Sequence, residues 1–133
     1  MPVEVLESRE LLTVSATLVL GELIVTAGVD DSVSIKPGLG TPPRVDVFGN
    51  GTRLTSLGNV AANSLSAIRI TAGDGNNSID LSNVTSSIFS PTLRIVVDGG
   101  NGNDTILGST DIANSLLGGD GIDTLIGGSR NDS

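Results

Sequence analysis

The chain has 133 residues, enough for one small domain, with a net charge of −8 and no cysteine or histidine. Those absences exclude a disulfide framework, thiol chemistry, a histidine general base and the usual zinc ligand. The acidic balance argues against nucleic acid or an anionic membrane as partner and suits a cation. With Phe48 and Phe89 the only aromatics, any core must be aliphatic.

Residues 1–12 read MPVEVLESRELL. A secretory leader opens with positive charge, whereas here Glu4, Glu7 and Glu10 outnumber Arg9. Residues 11–20 match a short leader core in length, but their Ser, Thr and alternation suit a strand better. No stretch is long enough to span a bilayer. Leu6, Glu7, Arg9, Leu11 and Leu12 make the segment similar to the Leu-Glu-x-Arg-x-Leu-Leu stretch near the start of many large planctomycete surface or secreted proteins. That resemblance implies a sorting motif and a secreted or cell-surface location. Without it, the segment is simply an acidic N-terminus.

Residues 13–97 read as β-strands throughout. LTVSATLVL, ELIVTA, SVSIK, RVDVF, AIRIT, SIDLS and LRIVV are short, rich in Val, Ile and Thr, and bounded by Gly, Asp, Asn and Pro clusters. No stretch has a 3.6-residue period. Pro37 and Pro42-Pro43 mark a loop between two strands. These strands either continue the repeat described next or form a small sheet of their own.

Residues 98–133 carry a nine-residue repeat. Gly99, Gly100, Gly102, Asp104 and Ile106 occupy positions one, two, four, six and eight of GGNGNDTIL, and Gly118, Gly119, Gly121, Asp123 and Leu125 fill the same places in GGDGIDTLI. GSTDIANSLL stands between them as a degenerate copy with one extra residue. Each unit divides into a six-residue turn and a three-residue strand that sends one side chain inward and its neighbours outward. Ile106, Leu116 and Leu125 then point inward, and Leu107, Leu117 and Ile126 outward. Two units return the chain to the same side, so Asp104 and Asp123 stack. At a strand spacing of about 4.8 Å, two carboxylates repel by about 3.5 kcal/mol at an effective dielectric constant near 20. A cation between them reverses the sign. The plainer reading of each turn is a hairpin, since Asn101-Gly102 is a strong hairpin signal.

The pattern G-G-x-G-x-D-x-U-x, with U a large apolar residue, resembles the calcium-binding nonapeptide repeats of RTX, or haemolysin-type, proteins. The resemblance implies an all-β fold, with a parallel β-roll or β-solenoid in the C-terminal third. It implies Ca²⁺ held by Asp104 and Asp123, with carbonyls from Gly99, Asn101, Gly118 and Asp120. Asp98 and the Asp120 side chain are weaker candidates, because the pattern leaves their positions variable. On the second side Asn114 and Asp132 take position six. The last unit, GGSRNDS, departs from the pattern in placing Arg130 where glycine is expected, and it stops before its apolar position.

Two upstream turns look like worn copies of the unit. In AGDGNNSID, Gly73, Gly75 and Ile79 fit, but Asn77 replaces the aspartate. An amide offers an oxygen without charge, so a calcium site there would be weaker. In TAGVDDSVS only Asp31 and Val33 fit. Both also read as plain polar turns.

These features predict a secreted or surface calcium-binding module that folds on binding Ca²⁺ and has no catalytic activity of its own. The alternative is the N-terminal portion of a larger secreted RTX enzyme or adhesin whose activity lies downstream. Calcium ions are the expected partner, together with self-association or a downstream domain packed on the outward stripe Leu107 and Ile126.

Overall fold

The computed structural model describes residues 14–128. The N-terminal motif, Arg130 and Asp132 lie outside these described residues. Within them the chain forms β1 (Ser15–Val19), β2 (Glu22–Thr26), β3 (Ser32–Pro37), β4 (Val45–Gly49), β5 (Thr52–Arg53), β6 (Ala67–Thr71), β7 (Ser78–Asp80), β8 (Arg94–Asp98), β9 (Thr105–Leu107), β10 (Asn114–Leu117) and β11 (Thr124–Ile126), with one 3-10 turn at Ala62–Ser64. The all-β expectation holds. No helix among the described residues is long and apolar enough to cross a membrane.

The strands form two open, mixed sheets. The first has the order β1-β2-β6-β8-β10 and the second β11-β9-β7-β3-β4-β5. Pairing is parallel from β2 through β10 in the first sheet and from β3 through β11 in the second. From β2 onward, leaving out the β4–β5 excursion, the chain alternates between the sheets. Antiparallel strands flank the parallel stack at its N-terminal end: β1 on β2, and β4 with β5 beside β3.

Alternation of apolar and polar residues sets the register, because a slip of one residue would turn every aliphatic side chain outward. In the first sheet, Leu23, Ile68 and Ile95 are register partners, as are Val25, Ile70 and Val97. In the second sheet Val33, Ile79, Ile106 and Leu125 make one column. All of these except Leu125 are buried, and the two inner faces share a single aliphatic core with Phe89 and Ile112. Leu125 points inward in its column but is 43 % exposed because β11 is the last strand of its sheet. The boundary expected from the sequence at residues 97 and 98 falls inside β8. Both sheets run across it, so the repeats and the upstream strands share one core.

Candidate metal centre

Four turns carry the chain from the first sheet to the second: residues 27–31, 72–77, 99–104 and 118–123. The parallel registers stack them. Because Thr26 pairs with Thr71, Thr71 with Asp98 and Asp98 with Leu117, the first turn positions are Ala27, Ala72, Gly99 and Gly118. Because Ser32, Ser78, Thr105 and Thr124 are register partners, the last positions are Asp31, Asn77, Asp104 and Asp123. Asp31 and Asn77, whose turns look like worn copies of the unit, therefore occupy the same column as the two repeat aspartates.

That column is a hydrogen-bond ladder. The Asp31 N–H donates to Asn77 Oδ1 at 2.9 Å, the Asn77 N–H to Asp104 Oδ1 at 2.8 Å, and the Asp104 N–H to Asp123 Oδ1 at 2.8 Å. A second ladder runs beside it in the opposite sense. Here the Asn76 N–H donates to Asp30 Oδ1 at 2.7 Å, the Asn103 N–H to Asn76 Oδ1 at 2.9 Å, and the Ile122 N–H to Asn103 Oδ1 at 2.7 Å. Each turn is thus tied to its neighbours by side-chain oxygens as well as by the strand ladders that flank it.

Glycine is required where the turns touch. Gly102 has φ +106°, and a Cβ on it would run into the Gly75 carbonyl. Gly121 has φ +108°, with the Gly102 carbonyl in the same place. Both the left-handed backbone and the close approach exclude other residues.

Asp104 is the focus of the site. It is 1 % exposed, and its Oδ2 has no hydrogen-bond partner. A buried polar atom left unpaired costs about 1–3 kcal/mol, and more when it is charged. The missing side chain of Gly99 leaves a cradle beside that oxygen. A Cβ there would lie 2.8 Å from Asp104 Oδ2 and 3.0 Å from the Gly118 carbonyl oxygen. A carboxylate oxygen and a carbonyl oxygen so border one small space, and a hard cation takes both as ligands.

The other residues singled out from the sequence are placed unequally. The Asp123 carboxylate folds back on Gly118, in the same way that Asp104 folds back on Gly99. The Asp120 carbonyl accepts the Gly102 N–H at 3.0 Å, and the Asp120 side chain is exposed. The Asn101 amide donates to Asp74 Oδ1 at 3.1 Å on the surface. Asp98 Oδ1 accepts the Gly100 N–H at 3.0 Å, which fixes the entry to the turn. Asn114 lies on the opposite side of the sheets. Its Oδ1 accepts the Ser109 N–H at 2.9 Å and its Nδ2 donates to the Ser109 carbonyl at 3.0 Å, so its carboxamide closes its own turn. Among the described residues no group of three Asp, Glu, His or Cys side chains comes together. A cation at Asp104 would therefore be held largely by main-chain carbonyls, not by an acidic cage.

Two features of the site are absent from the sequence-based expectations. The Asn76–Asn103 ladder has no signal in the sequence beyond a shared position five in successive turns. The difference at position one, Ala72 against Gly99 and Gly118, is visible once the six-residue turns are aligned. No protein-family model, curated protein or solved structure matches this chain.

Proposed function

We propose that the turns of Asp104 and Asp123 bind Ca²⁺, and that the chain is a calcium-binding β-roll module of the RTX kind, without catalytic activity of its own. The observation that supports this most is the buried, unpartnered Asp104 Oδ2 facing the Gly99 cradle. A carboxylate oxygen enclosed beside the Gly118 carbonyl lacks a positive partner, and Ca²⁺ supplies one at about 2.3–2.6 Å. The alternation of the chain between two parallel stacks, with glycine turns stacked on one side, is consistent with a roll. Asp104 and Asp123 lie at the ends of Gly-rich turns, among backbone N–H and carbonyl groups. A secreted or cell-surface setting follows from the resemblances at residues 1–12 and 99–126, where millimolar Ca²⁺ would fill even a weak site.

The test is isothermal titration of the full chain with CaCl₂. The parent takes up calcium, and Asp104→Ala loses most of that uptake. A parent that gives no binding heat, or an Asp104→Ala variant that binds as tightly as the parent, overturns the reading.

A further inference from the structure

We propose that positions one and six of each six-residue turn together decide whether it needs a cation, and that Ala72 and Asn77 make the β6–β7 turn a metal-free counterpart of the Asp104 turn. The inference rests on the calcium reading above and deepens it.

Asn77 and Asp104 are equivalent by register, and their Oδ1 atoms do the same thing: each accepts the N–H of the position-six residue in the preceding turn. They differ at the second atom. Asn77 Nδ2 donates to the Gly73 carbonyl at 2.9 Å and reaches the Asp74 carbonyl at 3.5 Å. At the equivalent place Asp104 has Oδ2, which has no partner. By register its turn presents the carbonyls of Gly100 and Asn101 where the earlier turn presents those of Gly73 and Asp74. An ionised carboxylate cannot donate to them. In one turn an amide N–H₂ supplies the positive end that those carbonyls accept, and in the next turn an ion must supply it.

Position one reinforces the difference. At Gly99 the space of the missing Cβ borders Asp104 Oδ2 and the Gly118 carbonyl. In the β6–β7 turn Ala72 stands at that position and is buried, so its methyl group fills the cradle. The first turn follows the same rule with different atoms. That turn is one residue shorter: Ala27 stands at its entry, the Gly28 N–H donates to Asp31 Oδ2 at 2.6 Å, and the Asn50 amide donates to Asp31 Oδ1 at 2.9 Å. Both upstream turns are closed by protein donors. The need for a cation begins at Asp104. The strands up to β7 therefore form a calcium-independent edge on which the later turns assemble.

The experiment titrates CaCl₂ into three full-length chains: the parent, Ala72→Gly/Asn77→Asp, and Asp104→Asn, each also followed by circular dichroism in EDTA. The double variant is expected to take up one more ion than the parent, and to lose β signal in EDTA relative to the parent. Asp104→Asn is expected to take up one ion fewer and to gain β signal in EDTA. A folded double variant with the parent's stoichiometry overturns the inference and leaves the calcium reading standing. If the double variant is unfolded even in calcium, Asp104→Asn decides: unchanged stoichiometry, or no gain of β signal in EDTA, overturns the inference. A parent that takes up no calcium overturns the calcium reading and the inference with it.

Discussion

The Asn77 N–H donates to Asp104 Oδ1 at 2.8 Å, while Asp104 Oδ2, on the same buried carboxylate, has no partner. One oxygen of Asp104 thus belongs to the fold, and the other is the one that the proposal assigns to calcium. The fold holds the carboxylate in place before any ion arrives, from Asn77 above and through its own N–H to Asp123 Oδ1 below.

The first prediction concerns the stacking of Asp104 on Asp123. Asp123→Ala removes the acceptor of the Asp104 N–H as well as a carboxylate beside Gly118. It should weaken calcium uptake and also destabilise the calcium-loaded chain by about 1–3 kcal/mol, since a buried donor is left unpaired. Titration calorimetry and denaturant melts in calcium check both effects. Loss of neither would contradict the stacking of these two residues.

A second prediction compares two glycines of positive φ. Gly51 has φ +84°, and a methyl group added there would have nothing within 4 Å, whereas a methyl group on Gly102 would meet the Gly75 carbonyl. Gly51→Ala should cost only the left-handed penalty, about 1–2 kcal/mol. Gly102→Ala should cost clearly more, because backbone must move. Equal losses in thermal melts would show that the turns are not in contact.

A third prediction concerns the column Val33, Ile79, Ile106 and Leu125. Ile106 is fully buried and Leu125 is 43 % exposed. Ile106→Ala should therefore cost about 2–5 kcal/mol. Leu125→Ala should cost markedly less, although both residues occupy the same position of the repeat. Chemical denaturation in calcium measures the difference, and a Leu125 variant as damaging as the Ile106 variant would mean that β11 is covered.

The fourth prediction addresses the outer stripe. Leu107 and Ile126 are register partners, the first half-buried and the second 52 % exposed. Neighbouring exposed aliphatics often mark a contact surface. In calcium the chain should self-associate in sedimentation experiments, and Leu107→Thr/Ile126→Thr should be monomeric with calcium uptake intact. A monomeric parent, or unchanged association of the variant, rejects the contact.

Much of this arrangement is legible in the sequence because both of its signals are local. Alternating aliphatics locate β2, β3, β4, β6, β7 and β8, and the nonapeptide phase puts Asp104 over Asp123 and Val33, Ile79 and Ile106 in one column. The phase even aligns Asp31 and Asn77 correctly, although the first turn has none of the pattern's glycines in place and the second lacks one. What the sequence does not show is the hydrogen bonds that orient each side chain within and between the turns. By position Asn77 is a weak ligand, but its amide is turned on Gly73 and its oxygen is taken by Asp31 from the preceding turn. Asn114 holds the aspartate position of the degenerate unit, and Ser109, five residues before it, engages both ends of its carboxamide. Ile112 sits in the degenerate unit outside the apolar position, yet it is buried in the core. Together with Ile106 it joins the start of the repeats to the core shared with the upstream strands. The short β5 strand depends on pairing with β4 and has no periodicity of its own.

Amide hydrogen exchange with and without calcium tests the central claim most directly. The Asp31 and Ser78 amides, which donate to Asn77 Oδ1 and to the Asp31 carbonyl, report the turns closed by protein donors. The Asp104 and Thr124 amides, which donate to Asp123 Oδ1 and to the Asp104 carbonyl, report the turns that the proposal assigns to calcium. Opening free energy sets the protection of each. Asp31 and Ser78 are expected to stay protected in chelator, whereas Asp104 and Thr124 exchange fast there and slow sharply in millimolar calcium. Equal protection of Asp104 and Thr124 in chelator and in calcium would contradict a calcium-dependent site.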